Sequence, residues 1–258
     1  MMVGHRKERG VLMRITLLAL VLTVALGTAF ATTSSELVLS NSSNTVTCTI
    51  SASGLSGNGC SGLTLGTNTF VGSNIVIDDG TFTIGTAVWN LSVVGATSYT
   101  PNALQGVDLN SDTATCVSGA CINSTLLIFF SDIGFTTPAS SFTDSVGGSL
   151  TGSGSVQQRG WVSATNNLLA LTSQIGGTLG PFSAPPANYS GSASGAATEG
   201  PAAYSMTLEQ EFMSDAQADT FSADGQLTAN VNVPEPMSLL LLGGCLLVVG
   251  RKLAARLA

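Results

Sequence analysis

Between Arg14 and Arg251 the chain contains no lysine, no histidine and one arginine, Arg159. That absence removes whole mechanisms. There can be no Ser-His-Asp triad, no Cys-His nucleophile, no imidazole-ligated zinc and no lysine Schiff base. An enzyme built on this segment would have to run on carboxylates alone, as glycoside hydrolases do. Long helical periodicity is also missing, since residues 166–174 could supply two turns at most. No repeat of 20–50 residues is present either, which argues against a solenoid or propeller.

Acid is what the chain has instead. From Thr32 to Val233 thirteen carboxylates face the single guanidinium of Arg159, a net charge of −12. Such a surface repels phosphate, so a nucleic-acid partner is not expected. It favours solubility and is compatible with divalent cations. The segment is long enough to bury one core of its own.

Both ends read as addresses. His5, Arg6, Lys7, Arg9 and Arg14 form a basic head, Ile15 to Leu26 is an apolar run, and Ala29-Phe30-Ala31 places small residues at −3 and −1. This is the layout of a secretory signal peptide over residues 1–31, cut by signal peptidase before Thr32. An uncleaved anchor helix is the alternative, and Met13 could serve as the start of a complete signal. No cysteine follows the apolar run, so a lipoprotein anchor is not expected.

At the other end, Val233-Pro234-Glu235-Pro236 precedes an apolar run from Met237 to Gly250, and Arg251, Lys252 and Arg256 follow it. Fourteen helical residues span only about 20 Å, against a hydrocarbon core of about 30 Å. The helix is short for a permanent anchor but long enough to pause a chain in the membrane. The positive-inside rule would hold Arg251 and Lys252 in the cytoplasm. A motif, a greasy helix and a basic end follow the logic of tails removed by a transpeptidase.

The segment 234–258 resembles the PEP-CTERM sorting signal of Gram-negative bacteria. The matching residues are Pro234, Glu235 and Pro236, then Ser238-Leu239, the Gly243-Gly244 pair and the Arg251-Lys252 stop. Met237 and Cys245 depart from the usual pattern. The resemblance covers about a tenth of the chain. It implies recognition by an exosortase, a stage held in the inner membrane by the C-terminal helix, and delivery to the outer envelope, cell surface or extracellular matrix.

Four cysteines lie between the two addresses: Cys48, Cys60, Cys116 and Cys121. In an exported chain an even set reads as two disulfides. The local pairs Cys48–Cys60 and Cys116–Cys121 each bracket a turn rich in Gly or Ser. A free or metal-bound set is the alternative, although neither pair has CxxC spacing. Cys245 lies in the apolar tail, as an inert helix residue or a lipidated thiol.

Residues 32–233 read as an all-β domain, an antiparallel β-sandwich flanked by the signal helix and the apolar helix. Leu227, Ala229, Val231 and Val233 alternate with polar residues, as do Tyr204, Met206, Leu208 and Phe212, giving strands with one buried face. Further strands are expected at 36–40, 45–50, 74–77, 81–84, 87–94, 125–131 and 160–164. Leu126 to Phe130 is apolar on both faces and should run through the centre of a sheet. Asp224-Gly225 and Asp78-Asp79-Gly80 carry hairpin-turn signals, while residues 147–154 and 180–200 read as loops.

Candidate sites are sparse. Asp108, Asn110 and Asp112 alternate as the first ligands of a calcium loop would, yet loop positions six and twelve hold Thr113 and Gly119, so an EF-hand fails. A looser calcium site and an Asx-capped turn are both open readings; no other cofactor is expected. Trp161 and Tyr189, with Trp89 and Tyr99, could stack on sugar rings, although the alternation around Trp89 favours a core position for it. Glu209 and Glu211 share a strand face, a spacing compatible with glycoside chemistry but more simply read as solvation.

The expected function is therefore a non-enzymatic, exported protein with a structural or adhesive role, associated with exopolysaccharide. A carbohydrate-binding module using Trp161 or Tyr189 is the second reading. A carboxylate-based glycosidase using Glu209 and Glu211 is the third.

Overall fold

The computed structural model describes residues 35–231, apart from Asn44, Ala52, 61–63, 66–67, 72–73, 99–104, Thr137, 185–186 and 198–202. The signal-peptidase residues Ala29 and Ala31, the sorting motif Pro234, Glu235 and Pro236, and the stop Arg251 and Lys252 lie outside the described residues. So does Tyr99.

Among the described residues, short runs of β-branched and aromatic residues, punctuated by Gly, Asn and Ser, give strands and nothing else of length. In chain order these are β1 (Ser35–Asn41), β2 (Thr47–Ser51), β3 (Gly54–Ser56), β4 (Thr64–Leu65), β5 (Asn68–Val71), β6 (Asn74–Ile84), β7 (Ala87–Ser98), β8 (Gln105–Ser118), β9 (Ser124–Phe135), β10 (Ala139–Thr151), β11 (Ser155–Ser163), β12 (Ser173–Ser183), β13 (Asn188–Gly195), β14 (Tyr204–Ser214) and β15 (Thr220–Val231). They form two antiparallel sheets. The first runs β12-β11-β14-β9-β1-β2-β3, and the second β13-β10-β15-β8-β7-β6-β4, with β5 also paired to β6.

The two sheets share one hydrophobic core. Leu126, Ile128 and Phe130 of β9, Leu208 and Phe212 of β14, and Phe221 and Leu227 of β15 are all buried in it. Trp89 lies there too, fully buried, 6.0 Å from the ring of Phe221 and donating its indole N–H to Ser124 Oγ at 3.1 Å. The doubly apolar β9 is the fourth of seven strands in its sheet, as expected. Its other face contributes Leu127 and Phe129, which pack with Val38 beneath Leu169. Cys48 is bonded to Cys60 and Cys116 to Cys121, the two local pairs. The second closes the connection by which the chain passes from β8 in one sheet to β9 in the other.

Several turn and loop expectations are corrected. Asp224-Gly225 lies inside β15, where Asp224 pairs with Asn110 on one side and Gly147 on the other. The preceding turn falls at 215–219 and is made by Asp219, whose Oδ2 accepts from the amides of Asp215 and Ala216 at 2.8 and 2.9 Å. Asp78-Asp79-Gly80 is likewise no hairpin. It lies within β6, where the register jumps between Ile77 and Gly80, so the extra residues are taken up as a bulge. Asp108 to Ser111 is a continuous part of β8 rather than a turn.

The presumed loop at 147–154 is strand as far as Thr151, and that at 180–200 contains the end of β12 and all of β13. Gly- and Ser-rich segments have weak strand propensity alone. Here neighbouring strands supply the ladder, and context overrides propensity. Residues 164–172 form turns, not helix.

Candidate functional site

The pleat aligns every second residue of β11 and β14 on the outer face of the first sheet. Register then sets Arg159 opposite Glu209, Gln157 opposite Glu211, and Trp161 opposite Thr207. Arg159 bridges both acids, Nη1 to Glu209 Oε1 at 2.6 Å and Nη2 to Glu211 Oε2 at 3.0 Å. Its Nε donates to Thr178 Oγ1 at 3.2 Å and Nη2 to Gln157 Oε1 at 3.1 Å. Trp161 donates its indole N–H to Glu209 Oε2 at 3.2 Å.

This is a correction to the solvation reading of the two glutamates. Glu209 is buried and Glu211 half-buried, and together they hold the one cation between Arg14 and Arg251. Both carboxylates are taken up by the one guanidinium, and Glu209 also by the Trp161 indole, so neither stands free beside the other as a glycosidase pair would.

Tyr189 lies elsewhere, on β13 at the edge of the second sheet. Its ring stacks on Phe182 at 4.8 Å, and its hydroxyl donates to Ser222 O at 2.7 Å, with burial pushing the phenol's pKa up. Trp161 and Tyr189 therefore do not form one platform. Trp161 is half-buried and flanked by polar side chains, and it alone of the two has a polar, ligand-like setting.

Across the outer face of the second sheet lies a depression of about 330 Å³, lined by Asp108, Ser145, Val146, Gly147, Asp224 and Gln226. Asp108 of β8 pairs with Gln226 of β15, and Asn110 with Asp224, which draws two carboxylates together from strands more than a hundred residues apart. Burial first, and then the charge of Asp224, push the Asp108 carboxyl up from its ordinary value. The side chain of Asp112 lies outside the described residues. Among those described, no group of three or more His, Cys, Asp or Glu could hold a metal ion.

The third polar arrangement lies between the sheets. Gln158 of β11 donates from Nε2 to Asp144 Oδ1 and to Ser145 O, both at 2.7 Å across on β10. Gln210 of β14 donates to Leu109 O at 2.8 Å and to Gln158 Oε1 at 3.3 Å, and Ser111 donates to Gln210 Oε1 at 2.8 Å. Asp144, Gln158, Gln210 and Ser111 are all wholly buried. Gly225 makes the room, for a Cβ there would overlap Gln158 Oε1.

Sequence reasoning missed this network. Its signal was present as polar residues at inward positions of alternating strands: Asp144 between Phe142 and Val146, and Gln210 between Leu208 and Phe212. The family models compared with the chain give no match, and neither do the curated proteins.

Proposed function

We propose that residues 32–233 are the β-sandwich ectodomain of an exported protein, carried out by the signal at 1–31 and sorted by the PEP-CTERM-like tail at 234–258. It is held at the inner membrane by its C-terminal helix, processed by an exosortase, and placed on the outer envelope or in the extracellular matrix. Its role there is structural or adhesive, in association with exopolysaccharide. The observation that carries this reading is the pair of disulfides, Cys48–Cys60 and Cys116–Cys121, in a chain that opens with a secretory pattern. Disulfides persist in oxidising compartments. Further support comes from the engagement of Glu209 and Glu211 by Arg159, which gives this carboxylate pair a place in the sheet's own packing.

The test is intact mass and cell fractionation, with Pro234-Glu235-Pro236 present or replaced by alanines. A mature species beginning near Thr32 and lacking the tail, lost in the variant, is expected. A full tail in the membrane fraction of both forms would reduce the motif to an anchor and remove the sorting reading.

A carbohydrate-binding module is the second reading, favoured by the half-buried Trp161 amid Arg159, Glu209 and Gln157. Glycan-array binding that disappears in Trp161→Ala would support it, and a blank array for the intact protein counts against it.

A further inference from the structure

Asp132 and Asp144 are both wholly buried between the sheets. The nearest thing to a counter-ion in the domain, Arg159, lies on the outer face of β11 and is already held by two glutamates. Asp144 receives Gln158 on Oδ1, while its Oδ2 is buried without a hydrogen-bond partner. Asp132 receives the Ile133 amide on Oδ1 at 2.7 Å, and its Oδ2 is buried with only the Ser35 and Thr97 hydroxyls beside it, neither in good hydrogen-bond geometry. A buried carboxylate with neither cation nor full hydrogen bonding is costly, whereas the neutral acid is tolerated.

The surroundings offer hydrogen bonds but no positive charge. Around Asp144, β15 presents Leu227 and Gly225, β11 presents Gln158 and Gly160, β14 presents Gln210, β8 presents Leu109 and Ser111, and β13 presents Ala193. None of these titrates, and Arg159, Glu209, Asp108 and Asp224 lie on the outer faces. Around Asp132 stand Ser35 of β1, Thr97 of β7 and Met206 of β14. Tyr204, two residues before Met206 on β14, also faces inward, and a phenol supplies no positive charge. A methyl at Gly160 would come within 3.1 Å of Asp144 Cγ, so this side of the carboxyl has no space for water.

We infer that Asp132 and Asp144 form a proton-linked latch between the two sheets, closed when both carboxyls are neutral and loosened when they ionise. Loosening starts on the flank of β10 and β11, each next to its sheet's edge strand. Desolvation pushes both carboxyls from 3.8 up to about 6, opposed by Gln158 and the Gly160 and Ser145 amides at Asp144, and by Thr97, the Ile133 amide and Ser35 at Asp132. The folded state therefore binds more protons than the unfolded chain. Stability is greatest below about pH 4 as far as these two groups are concerned, and it falls as pH rises through about 6. Each carboxyl then lowers the folding equilibrium constant by about a hundredfold.

The test is urea unfolding of the full chain, disulfides intact, from pH 4.5 to 8, with Asp144→Asn, Asp132→Asn and the exposed-site control Asp215→Asn. The wild type should lose stability across that range. Each buried variant should remove about thirtyfold of the loss over this range, since the unfolded carboxyl is already largely ionised at pH 4.5, and the control should remove almost none. A wild type equally stable at both ends, or a control that flattens the profile as much as the buried variants, overturns the latch. If a variant does not fold, infrared spectroscopy of the wild type decides. A protonated-carboxyl band persisting above pH 5 and vanishing near pH 6–7 is expected, and its absence above pH 5 rejects the inference.

Discussion

Arg159 and Glu209 face each other across the β11–β14 ladder at 2.6 Å, and the same guanidinium reaches Glu211 at 3.0 Å. The single cation of the domain is therefore structural, for it offsets two acids that a strand face would otherwise hold side by side. Replacing Arg159 with Met should cost about 1–3 kcal/mol, because a buried Glu209 loses its partner while Glu211 repels it. Adding Glu209→Gln to that variant should restore part of the loss. Urea midpoints measured in a double-mutant cycle check both statements.

The disulfides should differ in worth. Cys48–Cys60 spans 12 residues and Cys116–Cys121 spans 5. On the loop-entropy estimate, replacing the first pair with serines should cost about 3 kcal/mol and the second about 2 kcal/mol. Thermal unfolding of the two Cys→Ser pairs measures the order. An equal cost for both would mean that strain or solvation, not chain entropy, dominates.

Much of this architecture could be read from local pattern. Leu126 to Phe130 announced a central strand because both of its faces are apolar, and the Gly- and Ser-rich turns that each local cysteine pair brackets favoured the two disulfides over a free or metal-bound set. Asp224-Gly225 misled because glycine has two uses. A tight turn needs its φ, but β15 needs its missing side chain, since Gln158 occupies that space. The interior network was hidden for a different reason. Its bonds join residues 14 and 101 positions apart on facing sheets and 52 apart on neighbouring strands of one sheet, and single-strand periodicity carries no information about what stands opposite or alongside. The Arg159 clamp needed the β11–β14 register, which no local signal supplies.

Gly225→Ala follows from the same geometry. The added methyl would overlap Gln158 Oε1 and crowd Gln210 Nε2 at 2.8 Å, so the Gln158–Gln210 hydrogen bond must break. With two buried amides left short of partners, a loss of about 2–4 kcal/mol is expected. Combining Gly225→Ala with Gln158→Ser should cost less than the sum of the two single changes. Strict additivity would show that the clash lies elsewhere.

Arg159 also gives the chain an unusual proteolytic address. Trypsin has no other site between Arg14 and Arg251, and the bond after Arg159 lies inside β11, paired on one side to β12 and on the other to β14. Cleavage there requires β11 to come free. Where opening and closing are fast relative to cleavage, the rate follows the population of the open form. At pH 8, where both buried carboxyls of the wild type are ionised, Asp144→Asn should be cut more slowly by one to two orders of magnitude, because it removes a charge that favours opening. Gly225→Ala should be cut faster, by roughly thirtyfold or more for a loss of 2 kcal/mol. Two fragments joined at residue 159, timed by mass spectrometry, read both effects. Equal rates for the wild type and Asp144→Asn would mean that β11 opens without any help from the charge on Asp144.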